Sequence, residues 1–152
     1  MKHWLMKSEP EVFSIDDLQT RGTSLWDGVR NYQARNFMMN DMKIGDAVLF
    51  YHSSSEPPGV AGLAQVVETA LPDPTQFELK SEYFDVKATK AKPIWFAVRV
   101  GFGEKFPQLV SLDEMRGAEK LRAMLVLKRG QRLSIQPVTA LEYKWICKMA
   151  HR

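Results

Sequence analysis

A single cysteine, Cys147, stands in a chain of 152 residues. That excludes an internal disulfide framework and any zinc cluster built on cysteines. Histidine is nearly as scarce, and His3, His52 and His151 show no metal-ligand spacing; no metal and no cofactor are expected. No stretch approaches the roughly 18 consecutive apolar residues of a membrane-spanning helix, so no membrane association is expected. The opening run MKHWLMKSEPEVF carries Lys2, Lys7, Glu9 and Glu11, which denies it the apolar core of a signal peptide. The expected location is cytoplasmic. A glycine-rich phosphate loop is also missing, since GVAGLA at 59–64 fits neither nucleotide fingerprint. Serines 53–55 lie beside His52 without the surroundings of a nucleophile elbow. Glu9 and His52 could act as an acid/base pair only by converging in space. No enzyme is advertised. The net charge of +3 draws only weakly on an anionic partner.

The elements that are present are short and uneven. Residues 2–7 predict a buried strand stopped by Pro10. Ser14 with Asp17 predicts a capped helix to about Arg21, ended by Gly22. Residues 32–42 predict a second helix, and 47–51 (AVLFY) a confident strand bounded by turn signals. Another strand spans 60–70, closed by Pro72, with Asp73 as cap and Pro74 at the first position of a short helical turn. The Lys-rich segment 80–93 predicts an exposed, extended connection. A strand from Ile94 to Arg99 continues to about Phe106, bending at Gly101 or Gly103. Ser111 with Glu114 and Thr139 with Glu142 predict two more capped helices, and residues 133–137 a last strand. Periodicity leaves 118–130 open between helix and strand. Along the closing helix Leu141, Trp145 and Met149 mark the apolar face. Trp4 and Trp145 are expected in the core. This pattern lacks the regular alternation of a doubly wound sheet. It predicts an α+β fold: a small mixed or mostly antiparallel β-barrel of about five to six strands with short helices packed around it, in one domain over residues 1–152.

The most informative stretch is WDGVRNYQARN at 26–36. Asp27-Gly28 is turn chemistry, because glycine accepts backbone angles that side chains resist. A flat aromatic, a cation and an amide therefore share one polar bend, which suits gripping a planar ring with hydrogen-bonding edges. Trp26 either stacks a base, for about 1–3 kcal/mol, or belongs to the core. Asn31 either presents its amide to a base edge or caps the following helix. Arg30 is either a phosphate contact, the favoured reading, or a buried structural partner. Val29 and Tyr32 complete the pocket set from this block. Lys7, Ser8 and Glu9 leave a strand end together, and Tyr51, His52 and Ser53 occupy the equivalent end of the central strand, where one of them is expected to point inward. Of Trp95 and Phe96, alternating along a strand, only one can face a pocket; Trp95 is the candidate. Lys7, Arg30 and Arg129 are the candidate phosphate-binding rim, with Lys128, Arg132 and the Lys80–Lys92 run beside them.

Trp4, KSEP at 7–10, the block at 26–36, GD followed by LFYHS at 45–53, and RLSIQPVT at 132–139 together resemble the EVE domain family over residues 2 to 149. The resemblance implies a PUA-like β-barrel, shared with the YTH readers of methylated adenine in RNA. It also implies a non-enzymatic pocket for a modified base, with modified cytosine (5-methyl or 5-hydroxymethyl) in DNA as the leading ligand. Trp26 then resembles the family's pocket-wall aromatic, with Ser8 and Glu9 near the pocket. The chain is read as the bare domain and a monomer. The alternatives are an RNA-binding module recognising tRNA or rRNA, a small-molecule or nucleoside binder, and third an enzyme acting on a modified nucleotide, which would need a strongly displaced pKa at Glu9 or His52. One added methyl is worth only about 0.8 kcal/mol, roughly fourfold, whereas base extrusion costs a few kcal/mol. Binding of micromolar class is expected, easiest on single-stranded or mismatched substrate and sensitive to salt.

Overall fold

The computed structural model describes residues 1–152. Six strands form one mixed sheet in the order β2-β5-β4-β3-β1-β6: β1 (His3–Ser8), β2 (Thr23–Leu25), β3 (Ala47–His52), β4 (Gly59–Pro72), β5 (Phe96–Ser111) and β6 (Ile135–Val138). Only β1 and β3 run parallel; every other pair is antiparallel. Four short helices accompany them, α1 (Ile15–Arg21), α2 (Tyr32–Asn36), α3 (Leu112–Arg116) and α4 (Ala140–Ala150). The end strands β2 and β6 do not pair with each other, so the expected barrel is not closed.

The apolar run of β3 is continuous because both of its faces are covered. Val48 and Phe50 pack with Trp4, Met6 and Trp26 on one side, while Leu49 and Tyr51 pack with Leu5, Val60 and Ile146 on the other. The long hairpin β4–β5 bends through four breaks in register, the usual effect of an extra residue on one strand. Gly62 sits at such a break, and a methyl there would collide with the Glu104 carbonyl oxygen and the Ile15 side chain.

Three helix starts follow the local chemistry: Ser14 with Asp17, Ser111 with Glu114, and Thr139 with Glu142 each form a reciprocal capping box. The predicted helix at 32–42 is instead α2 followed by one π turn, Phe37–Asp41, in which the Met42 N–H reaches the Phe37 carbonyl. Strand β5 runs five residues further than expected, through both glycines, to Ser111. Residues 118–130 are neither helix nor strand but two short 3₁₀ turns. The face of α4 also differs from expectation. Glu142, Ile146 and Ala150 are buried, Leu141 is 57% exposed, and Trp145 is half-buried beneath Lys120 and Lys148. Both stripes share the four-residue period, and tertiary packing decides which one turns inward. Trp4, by contrast, is core at 2% exposure.

The parallel pair is tied at its start by Asp46, itself 2% exposed. Its carboxylate accepts from the Trp4 indole N–H and the backbone N–H groups of Lys2 and Lys43, each at 3.0 Å. Burial alone would raise its pKa, but these donors outweigh that and hold it below the usual carboxylate value. Asp46→Ala strands a buried indole N–H and two backbone donors. We expect a loss of roughly 2–4 kcal/mol in urea unfolding, whereas a change below 1 kcal/mol would mean that water replaces the carboxylate.

Candidate nucleic-acid interface

A cavity of about 1090 Å³ opens where the C-terminal end of β1 faces the bend between β2 and α2. The bend lines it continuously from Leu25 to Asn31. Lys7, Ser8 and Glu9 supply the opposite wall, with Val12 and Phe13 beyond them, and Glu82, Tyr83 and Arg99 close the rim.

Trp26 belongs to both core and cavity. Its backbone N–H extends the β2–β5 ladder to the Val98 carbonyl at 2.8 Å, and its ring meets Phe50 edge-on at 5.5 Å. Only 8% of the residue is exposed. Yet it lines the cavity, and no buried polar side-chain atom in the chain lacks a partner. Trp4 and Trp95 give their indole N–H groups to Asp46 and Asp85. The Trp26 indole N–H has no such acceptor and is not sealed from solvent, which leaves it a free donor on a residue that lines the cavity. Beside it, burial followed by the nearby charge of Asp73 raises the pKa of Asp27.

What fixes the bend lies behind it. Asp73, whose side chain is 2% exposed, accepts from the Gly28 N–H at 2.8 Å, Arg30 Nη1 at 3.0 Å, and the Thr75 N–H and hydroxyl at 2.8 and 2.5 Å. Burial works against its charge, but the donors from Thr75, Gly28 and Arg30 together hold its pKa below the usual carboxylate value. Gly28 has φ 77°, and a methyl on it would strike the Tyr83 ring at 2.8 Å. Glycine is therefore required twice over.

Arg30 corrects the favoured reading. Its Nε and Nη2 donate to the Tyr83 carbonyl at 3.1 and 2.7 Å, Nη2 also to the Thr75 hydroxyl, and Nη1 to Asp73 and the Val29 carbonyl. A guanidinium has five N–H groups, and all are used within the chain. The cation lies between the rings of Tyr83 and Trp95, at 5.4 and 5.0 Å. It is a structural partner with no donor left for phosphate.

Of the other candidates, Ser8, Glu9, Val29, Asn31 and Lys7 line the cavity. Ser8 Oγ donates to the Phe13 carbonyl at 2.6 Å, and Asn31 also caps α2 through Ala34, so its two open roles coexist. Burial lowers the pKa of Lys7. Five candidates, His52, Ser53, Trp95, Arg129 and Tyr32, lie off the cavity. His52 turns its ring to accept the Ile15 N–H at 3.1 Å, so it does not converge with Glu9 on the cavity. Ser53 continues the β1–β3 pairing through its backbone N–H to the Ser8 carbonyl. Trp95 is 5% exposed and forms a second layer behind Arg30, while its neighbour Phe96 does not line the cavity either. Arg129 is exposed on a turn that does not line the cavity, and Tyr32 stacks on Trp95 at 4.8 Å.

Residues with no local signal complete the site. The segment 80–93 is not merely an exposed connection: Tyr83 packs on Gly28 and Arg30, and Asp85 holds the Trp95 indole at 2.8 Å. Gln76, fully buried, ties the Asp73 and Trp95 backbones together with both ends of its amide.

Two changes check these assignments. Asp73→Asn leaves Arg30 without its counter-charge, and breaking a pair this buried should cost about 3 kcal/mol; a thermal unfolding series reads it. His52 is held below its ordinary pKa of 6.5, mainly by burial. Its contribution is therefore complete above pH 6.5 and falls as acid protonates the unfolded chain first. Stability should drop as the pH falls below 6.5, and less steeply in His52→Gln.

A protein-family model described as EVE domain matches residues 2–149. Human thymocyte nuclear protein 1 is 40% identical over 169 residues, covering 99% of this chain and 74% of the relative. A hypothetical protein of solved structure from Leishmania major is 49% identical, with TM-score 0.93 over 99% of this chain and 95% of its own. The crystal structure of human THYN1 in complex with DNA containing 5-methylcytosine superposes with TM-score 0.91 at 40% identity, covering 100% of this chain and 99% of that one. The Mmi1 YTH domain, 10% identical with TM-score 0.54 over 99% of this chain and 77% of its own, shares the fold alone.

Proposed function

The chain belongs to the EVE domain family, and from that premise we propose that it binds DNA by taking one modified cytosine, swung out of its stack, into the cavity walled by Trp26. The observation that carries this reading is the complex of the human relative with 5-methylcytosine DNA, at 40% identity over the full chain. The chemistry of the wall agrees with it. Cytosine offers an exocyclic amine as donor and ring acceptors beside it. The free Trp26 indole N–H is a donor, and the Asp27 carboxylate is an acceptor suited to the amine. Asn31 supplies one group of each kind.

The role is binding without catalysis. His52 is committed to a backbone N–H, and Arg30 and Asp73 are committed to each other and to the bend. Those groups hold shape rather than move protons.

Magnitudes favour a single strand. Extrusion from a duplex costs a few kcal/mol, and the cations at the cavity are few. Arg30 is consumed internally and Arg99 is paired with Glu68 at 2.7 Å, leaving Lys7 and Arg21 at the mouth. With about two phosphates neutralised on a single strand, log K should fall against log salt with a slope of roughly −1.4.

Fluorescence titration with single-stranded oligonucleotides tests this. A strand carrying one 5-methylcytosine should bind roughly fourfold more tightly than its cytosine counterpart, the worth of one buried methyl. Trp26→Phe, which keeps an aromatic wall but removes the N–H, should weaken both by about five- to tenfold, the loss of one hydrogen bond. Equal affinity for the two strands would overturn the modification reading, and tighter binding of the matching RNA would transfer it to the RNA-binding class.

A further inference from the structure

Tyr32 lies outside the cavity and is 58% exposed, although it directly follows Asn31, which lines the cavity. Its ring stacks on Trp95 with centroids 4.8 Å apart and planes 25° from parallel. Trp95 in turn lies against the Arg30 guanidinium, which lies against Tyr83. Successive contacts between flat groups thus link the cavity lining at Tyr83 and Arg30 to the exposed ring of Tyr32. The Arg35 guanidinium is 4.8 Å from the Tyr32 centroid and 5.9 Å from that of Trp95. A group seated on the outer face of Tyr32 would be much farther from Trp95, so Arg35 stands at the side and leaves the outer face of the ring open.

We propose that this outer face is a second nucleotide station, stacking the base next to the one in the cavity on the same strand; the assignment rests on the cavity reading above. Three features fit that occupant. The ring is already fixed from behind by Trp95, so little freedom is lost when a base settles on it. Stacking accepts any base, as a neighbour of variable sequence requires. Arg35 completes the station with charge. It donates to the Ile94 carbonyl from Nη1 and to Asn36 Oδ1 from Nε and Nη2, leaving two of the five guanidinium N–H groups free to meet the linking phosphate. The phosphate-facing arginine of the α2 region is Arg35, not Arg30.

The experiment is a cycle of two changes. Wild type, Tyr32→Ala and Tyr32→Phe are titrated with single strands carrying one 5-methylcytosine, with the flanking bases present or replaced by abasic sites on one side at a time. For the wild type, one abasic flank should weaken binding roughly tenfold. Tyr32→Ala should show a similar loss on the intact strand and no further loss with that abasic flank, while Tyr32→Phe behaves as wild type. A wild type that discriminates 5-methylcytosine from cytosine yet ignores both flanks overturns the station and spares the cavity reading. A Tyr32→Ala loss equal on intact and abasic strands also overturns it, since the ring would then act only by covering Trp95. Coupling between Tyr32 and a flank with no preference for the modified base supports the station and removes the modification reading instead.

Discussion

One carboxylate holds the site together. Asp73 sits at the end of β4, far along the chain from the bend, yet accepts from both the Gly28 N–H and Arg30. A buried charge is tolerable only when its lone pairs are met, and here four donors meet them. The requirement is mutual. The bend holds one conformation because Asp73 needs its donors, and the charge on Asp73 is favoured because Thr75 and the bend supply them. Arg30 then serves as the floor on which Tyr83 and Trp95 are laid. The cavity is accordingly preorganised: its wall is built from bonds made before any ligand arrives, which reduces what binding must spend on ordering.

The division of labour among the aromatics follows. Trp4 and Trp95 have carboxylate partners for their indole N–H groups, and each is a fastener between segments. Trp26 packs its body on Phe50 but keeps its N–H unclaimed. A side chain that is apolar over most of its surface and polar at one edge can sit at the boundary of a core and still take part in recognition. Low exposure and a binding role are therefore compatible at this position, because the unpaired donor is not sealed from solvent.

Legibility in the sequence tracked distance along the chain. The capping boxes at Ser14, Ser111 and Thr139 were readable because donor and acceptor are three residues apart. The central strand was readable because both of its faces are covered and its composition shows it. The bend was readable as a cavity wall through its glycine and its mixed chemistry. The fate of Arg30 was not, because its counter-charge lies 43 residues away and nothing local separates a bonded guanidinium from a free one. Tyr83 was hidden in a run that reads as solvated charge, and Gln76 in a turn. The buried stripe of α4 was misassigned because two stripes of that helix have the same period, and only tertiary packing chooses between them.

The two free margins of the unclosed sheet differ in how they end. Strand β2 is three residues long, too brief to guide another chain into register. On β6, the bond from the Lys7 N–H to the Ser134 carbonyl sets the alternation along the pair. Pro137, opposite Trp4, then occupies a position whose amide would have pointed away from the sheet. Proline has no such hydrogen. The margin thus lacks a donor where an intruding strand would look for one, so the fold can forgo the sealing of its barrel without inviting cross-β growth.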